Sequence, residues 1–176
     1  MAGTEVVDVV DSADRAVGEA TIADCLERGL LHRAVAVLVL RSDGRILLQR
    51  RSKRDLWHPG RWTLSSTGHV KFGESYPDAA KRELFEELGI RSRIKPLCKL
   101  LLPKVRSRGL TEWEHVTLFV SVTDAPARID SEEVEEVQVV SSSELLSMME
   151  ERRLTPDAKV LLRKYIVLSK DHVDSG

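Results

Sequence analysis

Glu83, Glu86 and Glu87 stand at i, i+3 and i+4 inside GHVKFGESYPDAAKRELFEELGI, residues 68–90, and no other stretch restricts the chain as tightly. Local punctuation predicts a helix over 76–88: Ser75 can cap it with Asp78 three residues on, Pro77 fits the first turn, and Gly89 suits the left-handed residue that ends it. Ala80, Leu84 and Leu88 form its core stripe. The three glutamates then share a neighbouring face within about 100° of arc. Each like-charge pair costs a few tenths of a kcal/mol. Glu86 and Glu87 also meet the negative end of the macrodipole, at roughly 0.3–1 kcal/mol for an exposed charge. Two broken local rules at one place mark a functional site. A hard divalent cation removes both penalties, because Mg²⁺ takes carboxylate oxygens, water and substrate phosphate.

With 176 residues the chain has material for one sizeable core, so a single α/β domain over 1–176 is expected. Its 27 basic and 28 acidic side chains exclude a globally basic nucleic-acid binder, and any basic site must be local. Cys25 and Cys98 make neither a disulfide framework nor a metal knuckle. Glu5, Asp8 and Asp11 interrupt the start where a signal peptide needs an apolar run, so the expected setting is cytoplasmic, with no membrane and no nucleic-acid partner.

Residues 1–31 read as a hairpin (6–10 and 16–20) and a short helix that Thr21 caps and Gly29 ends. AVAVLVL, 34–40, has the continuous apolar character of a strand covered on both faces, and Ser42-Asp43-Gly44 turns it into RILLQRR. Further strands are expected over 94–102, 116–122 and 137–140, and helices from Ser143 and over 156–168. Between 41 and 61, Arg41, Arg45, Arg50, Arg51, Lys53, Arg54 and Arg61 face only Asp43 and Asp55. Such a segment is either a solvated hairpin edge or an anion trap. Asp130, Glu132, Glu133, Glu135 and Glu136 read as a solvated acidic loop.

Gly68, five residues, Glu74, seven residues, then Arg82-Glu83-Leu84-Phe85-Glu86-Glu87-Leu88-Gly89-Ile90 resembles the Nudix box, G-x5-E-x7-R-E-U-x-E-E-x-G-U, at every specified position. At ordinary amino-acid frequencies roughly one chain in 10⁷ would match by accident. The resemblance implies the Nudix α/β/α sandwich with a mixed central β-sheet, and a metal site that cleaves a small-molecule diphosphate. It makes Glu83, Glu86, Glu87 and the Gly68 carbonyl ligands of Mg²⁺, with Mn²⁺ as an alternative, and pairs Arg82 with Glu74. Glu83, Glu86 and Glu114 are candidates for the general base. Arg50, Arg51 and Lys53, just upstream, are candidates to hold the diphosphate.

The flanks Gly29-Leu30-Leu31-His32-Arg33-Ala34, Gln49-Arg50-Arg51-Ser52, Pro59-Gly60-Arg61-Trp62-Thr63, Gly68-His69 and Glu112-Trp113-Glu114 resemble type 1 isopentenyl-diphosphate isomerase and the Nudix hydrolases nearest to it. The isomerase has an acid–base cysteine where this chain has Thr67, whose hydroxyl cannot take that role near neutral pH. It also lets the box carboxylates decay, and here they are complete. Both departures rank a diphosphate hydrolase above an isomerase. The isomerase's metal cluster is similar to His32, His69, Glu112 and Glu114, which makes these a possible second metal site; hydrogen-bonded core histidines are the alternative. Cys25 reads as a buried, inert thiol. Trp57 and Trp62 could cover a substrate group or pack in the core, and the oligomeric state stays open.

Overall fold

In the computed structural model, residues 4–55, 57–129, 132–151 and 153–173 are described. The chain begins with the hairpin β1 (Val6–Val10) and β2 (Ala16–Thr21), then α1 (Ile22–Arg28). Strands β3 (His32–Leu40), β4 (Ile46–Arg51), β5 (Trp62–Thr63) and β6 (Ser66–His69) lead into α2 (Tyr76–Leu88). β7 (Lys95–Leu101), the small hairpin β8 (Val105–Ser107) and β9 (Leu110–Glu112), β10 (Glu114–Val122) and β11 (Val134–Val140) follow. Two helices, α3 (Ser142–Glu150) and α4 (Pro156–Val173), complete the order.

β3 organises the sheet. β10 runs parallel to it from Glu114 opposite His32 to Val122 opposite Leu40. Antiparallel partners meet β3 in turn: β1 at His32, β6 along Ala34–Val37, and β4 at Val39 and Leu40. β7 extends the sheet beyond β10, and β11 extends it beyond β4. The result is a mixed sheet of nine strands among the described residues. Alternate side chains of β3 serve different layers, as the period of two requires. Ala34, Ala36 and Leu38 pack with Leu145 of α3 and Leu161 and Leu162 of α4; Val35, Val37 and Val39 pack with Ala80, Leu84 and Leu88 of α2. Helices thus cover both faces, and the expected α/β/α sandwich is the observed fold. No helix among the described residues is long and apolar enough to cross a membrane.

The expected punctuation of α2 is present: Ser75 accepts the Asp78 N–H, and Gly89 sits at φ 64° with its N–H on the Phe85 carbonyl. Thr21 and Gly29 bound α1 in the same way. Glu112 and Glu114 lie on different strands, because Trp113 separates the end of β9 from the start of β10. One expectation needs correction. The acidic run is not simply solvated, because Glu135 and Glu136 form ion pairs with Arg50 and Lys53 across β4 and β11; Asp130 lies outside the described residues.

Arg33 pins the N-terminal hairpin onto this frame. Its guanidinium donates to Asp8 at 3.0 Å, to Asp14 at 2.7 Å and to the Asp14 carbonyl at 2.9 Å. Asp14, a left-handed residue at φ 60°, also accepts from Tyr76 of α2 and Lys99 of β7. Replacing one partner of a largely buried pair leaves the others uncompensated, at about 3 kcal/mol. Arg33→Met is therefore expected to lose about that much stability in urea unfolding; a change below about 1 kcal/mol, the range of exposed surface pairs, would show that the hairpin is not held this way.

Candidate functional site

α2 packs against β6, and the absence of a side chain at Gly68 lets it come close. A Cβ on Gly68 would collide with the Glu83 carboxyl group, so glycine is needed here for approach, not for backbone conformation. Glu83 and Glu87 lie on the buried side of α2, only 8% and 4% exposed, while the Glu86 side chain is 53% exposed. The three carboxylates therefore share a site without sharing an environment.

Arg82 braces the cluster from one side. It makes two 2.9 Å bonds to Glu74, one of 2.5 Å to Glu83, one of 3.2 Å to Glu86 and one of 3.0 Å to the His69 carbonyl. Glu74 also accepts the Lys71 N–H at 3.0 Å, which fixes the loop ahead of α2. The resemblance's Arg82–Glu74 pair is thus present, as a fork-on-carboxylate contact of the strong kind. On the far side, Glu87 accepts from the Thr67 N–H and the Gln49 amide, both at 3.1 Å. Burial, with Glu87 close by, pushes the Glu83 carboxyl up to about 8. Burial pushes Glu87 up to about 7, despite its hydrogen bonds. Two buried carboxylates held near protonation, with one arginine between them and the outside, form a donor set suited to a hard cation.

A second group lies beside the first. His32 Nε2 and His69 Nε2 each stand 3.5 Å from Glu114 Oε1, and the three potential ligand atoms fall within 4.8 Å of one another. The His32 Nδ1 donates to the Leu30 carbonyl at 3.0 Å, which aims Nε2 at the cluster. That nitrogen is buried and has no hydrogen-bond partner among the described residues. Burial alone would push the His32 imidazole down, but Cys25 and the Glu114 carboxylate outweigh it and raise it. An orphaned buried nitrogen facing a carboxylate and a second imidazole fits a metal with mixed nitrogen and oxygen ligands. Glu112, expected in this group, is not part of it. Cys25 is fully buried behind His32.

Glu83, Glu86 and Glu87, with His69 and Glu114 of the second group, line one cavity of about 900 Å³, along with Gly68, Arg51, Arg54 and Lys71; His32 lies buried behind them. Ile22, Ala23 and Leu26 of α1 form an apolar wall. A smaller recess of about 200 Å³, lined by Leu102, Pro103, Val105, Pro156 and Val160, shares Glu112, Glu114 and Asp157 with it. Of the three cations expected to meet a diphosphate, only Arg51 borders the cavity, where it bonds Asp55 at 2.6 Å and the Trp57 carbonyl at 2.9 Å. Arg50 is 2.7 Å from Glu136, and Lys53 is 3.4 Å from Glu135; neither lines the cavity. Trp62 packs in the core, whereas the buried Trp57 borders the cavity. Arg54 was legible only as one member of the basic segment, and Lys71 and Asp157 were not singled out from the sequence, since each stands in an ordinary polar context.

The NUDIX domain model matches residues 30–165, and the chain belongs to the Nudix family. An uncharacterised Nudix hydrolase of Pseudomonas aeruginosa is 34% identical over 170 residues, 92% of this chain and 94% of the relative. An isopentenyl-diphosphate Δ-isomerase of Pectobacterium atrosepticum is 32% identical over 154 residues, 88% of this chain and 84% of the relative. In fold, the chain is similar to a crystal structure from Deinococcus radiodurans, with TM-score 0.77 and 22% identity over 91% of this chain and 98% of the other. A MutT protein from Methanosarcina mazei gives 0.64 and 23%, over 81% and 95%. The protein is therefore a Nudix-family enzyme, with relatives named on both the hydrolase and the isomerase side.

The raised carboxyls set a pH dependence. Glu83 and Glu87 hold protons in the folded protein that the unfolded chain releases near 4.5, so their contribution to stability is complete below that pH and is lost as pH rises through about 7 to 8. Metal-free protein is expected to melt at a lower temperature at pH 8.5 than at pH 5.5, and Mg²⁺ to restore far more at pH 8.5. An equal Mg²⁺ shift at both pH values in thermal unfolding would contradict these assignments.

Proposed function

We propose that the protein is a Mg²⁺-dependent hydrolase that cleaves the diphosphate linkage of a nucleoside diphosphate or related X-diphosphate. The observation that carries this reading is the complete set of Glu83, Glu86 and Glu87 with Gly68 on one wall of a substrate-sized cavity. Glu83, Glu87 and the Gly68 carbonyl, with Glu86, would hold the ion; Mn²⁺ suits the same oxygens. Such an ion supplies charge neutralisation of the diphosphate and acidifies water. Hydrolysis joins a water oxygen to phosphorus, breaks the bridging P–O bond and leaves one proton for a carboxylate. Glu86 suits that task best, being exposed and held by a single 3.2 Å bond from Arg82, whereas Glu83 and Glu87 are each held more closely. Glu114 faces His32 and His69 at 3.5 Å, where a second ion would bind. One domain across 1–176 does this work, with residues 22–26 as a cavity wall.

The isomerase is the second reading, favoured by the His32, His69 and Glu114 group and by the Pectobacterium atrosepticum relative. Thr67 opposes it, because its hydroxyl replaces the ionisable thiol that such proton transfer uses. A metal-supplemented panel of nucleoside di- and triphosphates, nucleotide sugars, dinucleotides and prenyl diphosphates separates the two. Release of phosphate or a monophosphate is expected, with Glu86→Gln and Glu87→Gln each losing about 10²-fold or more in kcat. Deuterium entering isopentenyl diphosphate without pyrophosphate release would reverse the ranking, and full turnover by both variants would remove the proposed site.

A further inference from the structure

Four of the cavity-lining residues are Lys or Arg: Arg51, Arg54, Lys71 and Arg82. Two are committed, Arg51 to Asp55 and Arg82 to Glu74, Glu83 and Glu86. Lys71 and Arg54 form no ion pair among the described residues, although carboxylates crowd the same walls, among them Glu5, Glu27 and Glu132. Lys71 is half-buried, and its backbone is fixed by the Glu74 carboxylate and by a bridge to Val7. Its ammonium is felt by Glu74, but both Glu74 oxygens are already taken, by Arg82 and by the Lys71 N–H. Arg54 rides on the loop after β4, with its N–H on Ser52 Oγ at 3.2 Å. The same loop carries Trp57, whose buried indole N–H has no acceptor among the described residues. Arg54 is exposed at the rim of the cavity and Lys71 is half-buried in its wall, and cations left without an ion pair beside so many carboxylates point to an anion that arrives with the substrate.

We propose that Lys71 and Arg54 position the substrate's phosphates and select a phosphate chain that ends in a free monoester over one capped at both ends. This inference rests on the diphosphate reading and deepens it. A terminal phosphate monoester carries about −1.5 to −2 at neutral pH, against one charge for a phosphate esterified twice. An ion held by Glu83, Glu86 and Glu87 would offset the bridging charge of either kind of substrate alike. Cations beyond the metal site reward only the extra terminal charge, so they discriminate as well as bind. Nucleoside and prenyl diphosphates fall in the favoured class; nucleotide sugars and dinucleotides do not.

The test is calorimetric titration of the intact protein in Mg²⁺ with methylenediphosphonate, which cannot be hydrolysed, and with its P,P′-dimethyl ester. Wild type is expected to bind the free form on the order of tenfold more tightly, and Lys71→Met and Arg54→Gln each to reduce that preference several-fold, as loss of a charge-assisted contact does. Their melting temperatures should stay near wild type, since neither side chain forms an ion pair among the described residues. No binding by wild type, equal binding of the two ligands, or variants that keep the full preference would each overturn the inference. Selective binding that the variants abolish, in an enzyme that turns over no diphosphate in the panel, would instead sink the hydrolase reading and leave this one standing.

Discussion

Arg82 is the contact on which the site depends. Its guanidinium offers five N–H donors in a rigid fork, and the structure uses them on Glu74, Glu83, Glu86 and the His69 carbonyl. Those partners belong to the loop before α2, to α2 itself and to the end of β6. One side chain thus joins three elements while compensating carboxylates that would otherwise repel one another. The balance is incomplete, because Glu87 stands on the other side of Glu83 and receives only neutral donors from Thr67 and Gln49. That asymmetry leaves room for a cation where a purely structural cluster would have supplied a second arginine.

The position of this brace follows from β3. Its apolar run pairs with β10 along its whole length and with β6 over Ala34–Val37, which sets Gly68 and His69 opposite Val35 and Ala34. Because the pairing with β10 starts at Glu114 opposite His32, the register that places the box glycine also brings His32, His69 and Glu114 together. A shift of one residue would turn those side chains to the other face. Both acidic groups are therefore consequences of one strand alignment, and the cavity between them is as fixed as the sheet.

What could be read in advance was whatever local chemistry determines. The caps of α1 and α2 and the stripe Ala80, Leu84, Leu88 follow from residue type and spacing, and each is present in the structure. The Ser66–His69 strand was hidden because Ser-Thr-Gly-His has no apolar run, and its pairing is imposed by β3. The β8–β9 hairpin turns through Arg108 and Gly109, both at positive φ, without an Asn-Gly or Asp-Gly signal. Glu112 ends β9 and stands apart from the His32, His69 and Glu114 group because the chain changes partners at Trp113, a break that no residue pattern marks. Arg50 and Lys53 looked available because their acidic partners stand some eighty residues away in sequence and meet them only through the β4–β11 register.

That misassignment carries a physical lesson about charge. A basic run close to a metal motif suggests an anion trap, yet Arg50 and Lys53 are spent across the sheet on Glu135 and Glu136, and Arg51 on Asp55 within the loop. What remains facing the cavity is a predominantly acidic surface, in which a phosphate chain is repelled until a divalent ion offsets the carboxylates. On the proposed function metal and substrate would bind with mutual dependence: an ion would relieve Glu83 and Glu87, and a phosphate would supply it with further oxygens. Recognition and catalysis would then share one electrostatic origin, because the charge that admits an anionic substrate into an acidic cavity is also the charge that would acidify water for the proposed hydrolysis.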